Sequence, residues 1–139
     1  MLCLVNRERT IRGEAALRPN LDLQRAAQAH SGDMASASYF AHESRNGETP
    51  LARIREAGYI FSSRVGYAIG ENIAWGTLWL ATPKAIVAGW MASPGHRANI
   101  LDATFRDTGL GVAPHPLAPL AHGEAGAIYT QDFGRIIRP

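Results

Sequence analysis

Trp90-Met91-Ala92-Ser93-Pro94-Gly95-His96-Arg97-Ala98-Asn99-Ile100-Leu101 is the stretch from which the rest of the chain can be organised. It begins as the apolar end of one helix, breaks at Ser93-Pro94 and restarts as another. Proline lacks an N–H, and the first N–H groups of a helix have no intrahelical partner, so Pro sits comfortably at the first helical position. A Ser just before it is a preferred N-cap. With Ser93 as N-cap and Pro94 as N1, His96 falls at N3. There the positive end of the helix dipole disfavours the imidazolium and keeps the ring neutral, the form that a metal ligand or a general base needs. On local sequence alone an ordinary surface histidine at a helix start fits equally well.

The same hydroxyl–proline signal recurs at Thr49-Pro50 and Thr82-Pro83. It predicts helices from Thr49 to about Ala57, ended by Gly58, and from Thr82, with Ile86, Val87, Trp90 and Met91 facing inward. A first helix is expected over residues 1–12, stopping at Gly13. A second starts at the Asn20 cap, with Leu23, Ala27, His30 and Met34 at helical spacing on one face. The C-terminal third changes period. Leu110 and Val112 alternate with Gly109, Gly111 and Ala113, and Ala127, Tyr129, Gln131 and Phe133 alternate with Ile128, Thr130 and Asp132. Both read as strands, as does 68–75. The Pro- and Gly-rich segment from Pro114 to Ala125 reads as a long loop. Helices first and strands later predict an α+β layered domain with helices on an antiparallel sheet, a single domain over 1–139.

The chain has 139 residues, 46% hydrophobic and 19% charged, which suits a packed core. The formal net charge is only +2 and the arginines are dispersed along the sequence, which argues against nucleic acid as a partner. No stretch has the length and apolarity of a transmembrane helix. The one cysteine, Cys3, has no partner within the chain. It is expected as a half-buried small hydrophobe on the first helix, with an upstream thiol as the alternative. Met1 runs directly into Leu2-Cys3-Leu4-Val5, without the basic region and cleavage site of an export leader.

HExxH, P-loop and GxSxG patterns are absent, and so is a nucleophile signature around Cys3. The polar side chains that remain are few. His42 follows Tyr39-Phe40-Ala41 and precedes the polar run Glu43-Ser44-Arg45-Asn46-Gly47, which sets it either at the edge of a core or, as local sequence alone favours, in a loop on solvent. Glu71 lies in an apolar strand-like segment, where a carboxylate is buried only when paired, so either a His or Arg partner is expected or the side chain faces outward at a sheet edge. His30, on the apolar face of the second helix, reads as a satisfied core histidine. His115, His122 and Glu124 form a weaker metal-donor set in the Pro-rich loop. Trp75, Trp79 and Trp90 read as packing residues.

Six pieces, in order, resemble one family. Asn6-Arg7-Glu8-Arg9 is similar to its opening N-x-x-R, and Ala27-Gln28-Ala29-His30-Ser31-Gly32-Asp33-Met34 to its second helix. Phe40-Ala41-His42 resembles its first site histidine, and Gly70-Glu71-Asn72-Ile73 its G-E-N-I signature. Trp90–Leu101 resembles its bacterial W-M-x-S-P-x-H-R-x-N-I-L run, and Tyr129-Thr130-Gln131-Asp132-Phe133-Gly134 its closing strand. The family is the CAP superfamily of cysteine-rich secretory, antigen 5 and pathogenesis-related 1 proteins, and the resemblance is to its bacterial, SCP-like extracellular branch. It implies a three-layer α-β-α sandwich with a central antiparallel sheet and a cleft. It also implies an extracellular or cell-envelope location, with the export leader outside this stretch of sequence. Many members set two His and two acids in the cleft. His42, Glu71 and His96 match three of these positions, and the fourth falls at Ser93, which is better explained as the helix cap for His96. Asn72 and Ser93 are then supports of the cleft.

Two neutral imidazoles suit a divalent transition metal, zinc foremost, with His42 and His96 as ligands. Three functions follow. One is an extracellular module binding a small-molecule, lipid, peptide or cell-envelope ligand. Another is a zinc-assisted hydrolase of peptide or cell-wall material with Glu71 as general base. The third is a structural domain whose His/Glu cluster ties helices to sheet.

Overall fold

The computed structural model describes all 139 residues, Met1–Pro139. Its elements in chain order are α1 (Leu2–Thr10), β1 (Arg18–Pro19), α2 (Leu21–Ala37), α3 (Pro50–Glu56), β2 (Gly66–Thr77), a 3₁₀ turn (Leu78–Ala81), α4 (Pro83–Ala92), α5 (Pro94–Leu101), β3 (Asp107–Ala113), α6 (Ala118–Ala121) and β4 (Gly126–Ile137). The cap signals work as expected at three helices. Asn20 accepts from the Leu23 N–H at 3.0 Å, Thr49 from Ala52 at 3.1 Å and Thr82 from Ala85 at 3.2 Å. Three elements escaped sequence reasoning: β1, the 3₁₀ turn, and α6 inside the expected loop. Each is two to four residues long, too short to show a period.

The sheet runs β1-β3-β4-β2, with β3, β4 and β2 antiparallel and β1 added in parallel to β3. Side chains alternate between its faces. One face holds Phe133, Tyr129 and Ala127 in a core with Trp90, Ile86, Val87, Ile100, Phe105 and Val5 from the α1, α4 and α5 side. The other meets α2 and α3, where Ile73, Ile128 and Ala113 pack on Met34, and Leu23, Ile54 and Tyr59 form a neighbouring cluster. This is the α+β three-layer sandwich.

Two local devices set the layers. At Gly109 and Gly111 an added Cβ would fall among the backbone atoms of residues 23–24 and 27–28, so α2 rests directly on β3 and needs glycine there. In the N-x-x-R motif, Asn6 clamps Leu17 by accepting from its N–H at 2.8 Å and donating to its carbonyl at 3.1 Å. The Arg9 guanidinium is fully buried and donates to the carbonyls of Ala15, Ile100 and Asp102 at 2.7–3.0 Å. The motif therefore staples α1 to the end of α5.

Two packing expectations need correction. Cys3 is exposed rather than half-buried, because α1 turns Val5 and Arg9 inward instead. Trp90 is core and donates its indole N–H to the Ile73 carbonyl at 3.1 Å, but Trp79 is 73% exposed, carried outward on the 3₁₀ turn with Leu78 and Leu80.

Candidate functional site

The site straddles β2, the edge strand on this side of the sheet. Glu71 and Asn72 are adjacent and so point to opposite faces. Glu71 points toward α3 and the segment after α2, and Asn72 toward α5.

On the first side, Glu71 is buried and meets the buried Arg53, whose Nη2 donates to Oε1 at 3.0 Å and to Oε2 at 2.9 Å. His42, on the exposed rim, places Nδ1 3.0 Å from Oε1. A carboxylate only accepts, so Nδ1 carries a hydrogen, and in the singly protonated tautomer with that hydrogen Nε2 is the bare nitrogen. Arg53 is held in turn by the Ser44 hydroxyl at 3.1 Å and the Glu48 carbonyl at 3.2 Å.

On the other side, His96 sits at N3 of α5, where the Ser93-Pro94 reading put it. Ser93 occupies the cap position, but its hydroxyl makes no bond to the backbone there. It meets Nδ1 of His96 at 2.8 Å instead. This corrects the expected capping role: Ser93 orients the ring. Asn72 donates to the His96 carbonyl at 3.1 Å and accepts from Asn99 at 2.9 Å, which ties α5 to β2. Burial first, and then repulsion from His42, holds the His96 imidazole below its ordinary value.

Three residues that sequence reasoning did not assign to the site complete it. Arg53 is the partner expected for Glu71, but nothing in the sequence singled it out among the fourteen basic residues. Asp132 lies directly opposite Glu71 in the β2–β4 register and is fully buried. Neither of its oxygens meets an N–H or hydroxyl donor. Burial, then the hydrogen bond and charge of Glu71, push its carboxyl well above the usual range, toward the protonated form. Burial alone would raise Glu71 as well. Hydrogen bonds from His42 and Asp132 and the charge of Arg53 outweigh that and hold it below its ordinary value. The third residue is His30, which is buried as expected of a core histidine. Its Nε2 is 2.8 Å from the Ala41 carbonyl, an acceptor, so Nε2 is protonated and the ring tethers the residue just before His42. Its Nδ1 has no partner, so the expected full satisfaction does not hold. Desolvation keeps this ring neutral.

His42 and His96 thus lie on either side of β2, His42 against Glu71 and His96 beside Asn72. Neither Nε2 has a partner within the protein. Beside His96 a groove of about 460 Å³ runs between β2 and α4, lined by Ile73, Trp75, Leu80, Ile86 and Trp90 among others. No group of three or more His, Cys, Asp or Glu side chains is placed to hold a metal ion, the weaker set of His115, His122 and Glu124 included.

The chain belongs to the cysteine-rich secretory protein (CAP) family, whose pattern matches residues 2–131. Protein YkwD of Bacillus subtilis (strain 168), an uncharacterised protein, is 35% identical over 130 residues, which are 94% of this chain and 44% of that one. The membrane protein YlbC of the same organism is 33% identical over 112 residues, 81% of this chain and 30% of that protein. The chain therefore spans less than half the length of these curated relatives. Among solved structures, an extracellular protein containing an SCP domain from Bacillus anthracis str. Ames aligns with a TM-score of 0.73 at 29% identity, over 98% of this chain and 38% of that one. An outer surface protein from Borrelia burgdorferi aligns with a TM-score of 0.75 over 99% of this chain and 90% of that one, and at 17% identity it speaks for the fold alone. No helix is long and apolar enough to cross a membrane.

Proposed function

We propose that this CAP domain is an extracellular or cell-envelope binding module whose cleft takes its ligand through His42 and His96, with a divalent metal, zinc foremost, as the bridging ion. The observation that carries this reading is the pair of oriented rings: His42 is fixed through Nδ1 by Glu71 at 3.0 Å and His96 through Nδ1 by Ser93 at 2.8 Å, and each presents its Nε2. A metal-binding histidine ordinarily donates its other ring N–H to such a partner, which sets the tautomer. His96 presents a bare Nε2 when its Nδ1–H donates to Ser93. Two imidazole nitrogens are of the donor type zinc takes, and the other positions would fall to water or to the ligand. A bound zinc would supply Lewis acidity toward a carbonyl or phosphoryl oxygen of that ligand. The apolar groove beside His96 suits the apolar part of a small molecule, lipid or peptide. The SCP-domain protein described as extracellular supports the location.

The hydrolase reading needs Glu71 as a base. Both of its oxygens are taken by Arg53, one is shared with His42, and its low proton affinity makes it a weak base. Glu71 is better suited to positioning His42, so binding without turnover is the stronger reading. Zinc titration by calorimetry tests it: uptake by the wild type and loss in both His42→Ala and His96→Ala are expected. Wild-type protein that takes up no zinc, or variants that bind it as well as wild type, would overturn the metal bridge. Hydrolysis of peptide or cell-wall substrate that disappears in His96→Ala would establish the enzyme instead.

A further inference from the structure

The arginines dispersed in sequence are not dispersed in space. Arg18, Arg106, Arg135 and Arg138 line a single hollow of about 500 Å³ at the β1–β3–β4 end of the sheet, under the start of α2. Pairing brings them there. The Arg18 N–H donates to the Arg106 carbonyl at 2.8 Å, and the Arg106 N–H to the carbonyl of Gly134, next to Arg135, at 3.0 Å. The two carboxylates of the hollow are already engaged. Asp107 accepts from the Tyr59 hydroxyl at 2.8 Å and faces Arg18 at 3.3 Å, and Asp22 is paired with Arg25. Arg106, Arg135 and Arg138 have no carboxylate partner. Arg106 is braced by the carbonyls of Ala103 and Phe105, and Arg138 lies over the Phe61 ring at 5.0 Å. Four guanidiniums against two carboxylates leave an excess of two positive charges, equal to the formal charge of the whole chain.

We infer that this hollow is a second binding site, separate from the His42/His96 cleft, for a ligand carrying two or more phosphoryl groups. A lone carboxylate satisfies one guanidinium fork. Three unpaired forks around one concavity match a multivalent anion with tetrahedral oxygens. Bracing two of the guanidiniums reduces the ordering cost of binding. The N-terminus of the 17-residue α2, at the rim with Asn20, adds to the positive potential, and Asp22 in its first turn offsets part of it.

The test uses the whole chain and pyrophosphate, inorganic phosphate and sulfate as probes in isothermal titration. Pyrophosphate is expected to bind more tightly than either phosphate or sulfate, and all three should weaken as sodium chloride rises. Arg135→Gln/Arg138→Gln is expected to lose about tenfold or more in pyrophosphate affinity. Its unfolding midpoint should fall only slightly, because neither side chain makes an ion pair or hydrogen bond in the fold and only the contact of Arg138 with Phe61 is lost. Arg135→Lys/Arg138→Lys, which keeps the charge and removes the forks, should fall between the two. His96→Ala should bind pyrophosphate like wild type. In the wild type, pyrophosphate should shift the amide resonances of Tyr59, Arg106 and Asp107 and leave those of His42 and His96 in place. Absence of pyrophosphate binding, equal affinity for sulfate, or undiminished binding by the Gln double variant overturns the site. So does capture by anionic phospholipid vesicles without any response to pyrophosphate, which would make the patch a membrane-facing surface.

Discussion

Arg53→Met tests the charge network behind the cleft most directly. Arg53 and Glu71 are both buried, with side chains 6% and 2% exposed, and they meet at 2.9 and 3.0 Å. Solvent does not screen such a pair as it screens a surface pair, and removing one partner leaves the other's charge in the interior. The expected cost is about 3–5 kcal/mol, since no other buried cation stands beside Glu71: its remaining donors are His42, on the exposed rim, and the carboxyl of Asp132. Glu71→Gln is expected to cost less, about 2–3 kcal/mol, a loss on the scale of charge-assisted hydrogen bonds. The difference is Asp132. Burial and Glu71 both raise it; with the charge of Glu71 gone only burial opposes ionisation and Arg53 favours it, so Asp132 is expected to take up part of the lost negative charge. Glu71→Gln/Asp132→Asn removes this substitute and should restore the full penalty. Urea unfolding at pH 7 reads these values, and thermal melts should move by about 4 °C per kcal/mol for a chain of this size. Single variants within about 0.5 kcal/mol of wild type would show that the pair behaves like a surface salt bridge, and the network argument would fail. A Glu71→Gln cost that is the same in the Asp132→Asn background as in the wild type would remove Asp132 from it.

Three further outcomes are expected. Ser93→Ala should weaken zinc binding by about tenfold, as loss of an orienting partner does, and should barely lower stability. A clear loss of stability with zinc affinity intact would return Ser93 to a capping role. Stability should fall as pH drops below about 6.5, because His30 and His96 are held neutral in the fold while the unfolded chain protonates them. Asp132 has the opposite sign: its raised value stabilises the fold at low pH and the gain is lost as pH rises, so Asp132→Asn should stabilise increasingly above pH 3.8. A flat urea-unfolding profile of Asp132→Asn from about pH 7 to 5, where the carboxyl slope is gone, would contradict the histidine part, and a destabilised Asp132→Asn at about pH 8 the carboxyl part. Gly111→Ala should cost about 1–3 kcal/mol or more, because the new Cβ meets the backbone of α2, which has no flexible end to move aside. Unchanged solubility and melting would mean that α2 does not sit where it is described.

The helix starts were legible because a cap and a Pro at N1 act within one turn. Asn20, Thr49 and Thr82 therefore bind the N–H groups their positions predict. The same local logic put His96 at N3 and foresaw that Glu71 needs a cationic or imidazole partner. It did not reveal which one, because Arg53 reaches Glu71 only after α3 docks beside β2. Asp132 became a member of the site through one register of β4 against β2. The short β1 strand carries no periodicity, yet its pairing with β3 gathers the arginines. Rules that act over a few residues of chain thus set the elements and the neutral state expected of His96. Groups tens of residues apart meet only through strand register and layer packing. The tertiary structure alone therefore decided that Ser93 orients His96, that Glu71 is clamped by Arg53, and that scattered basic residues form one hollow.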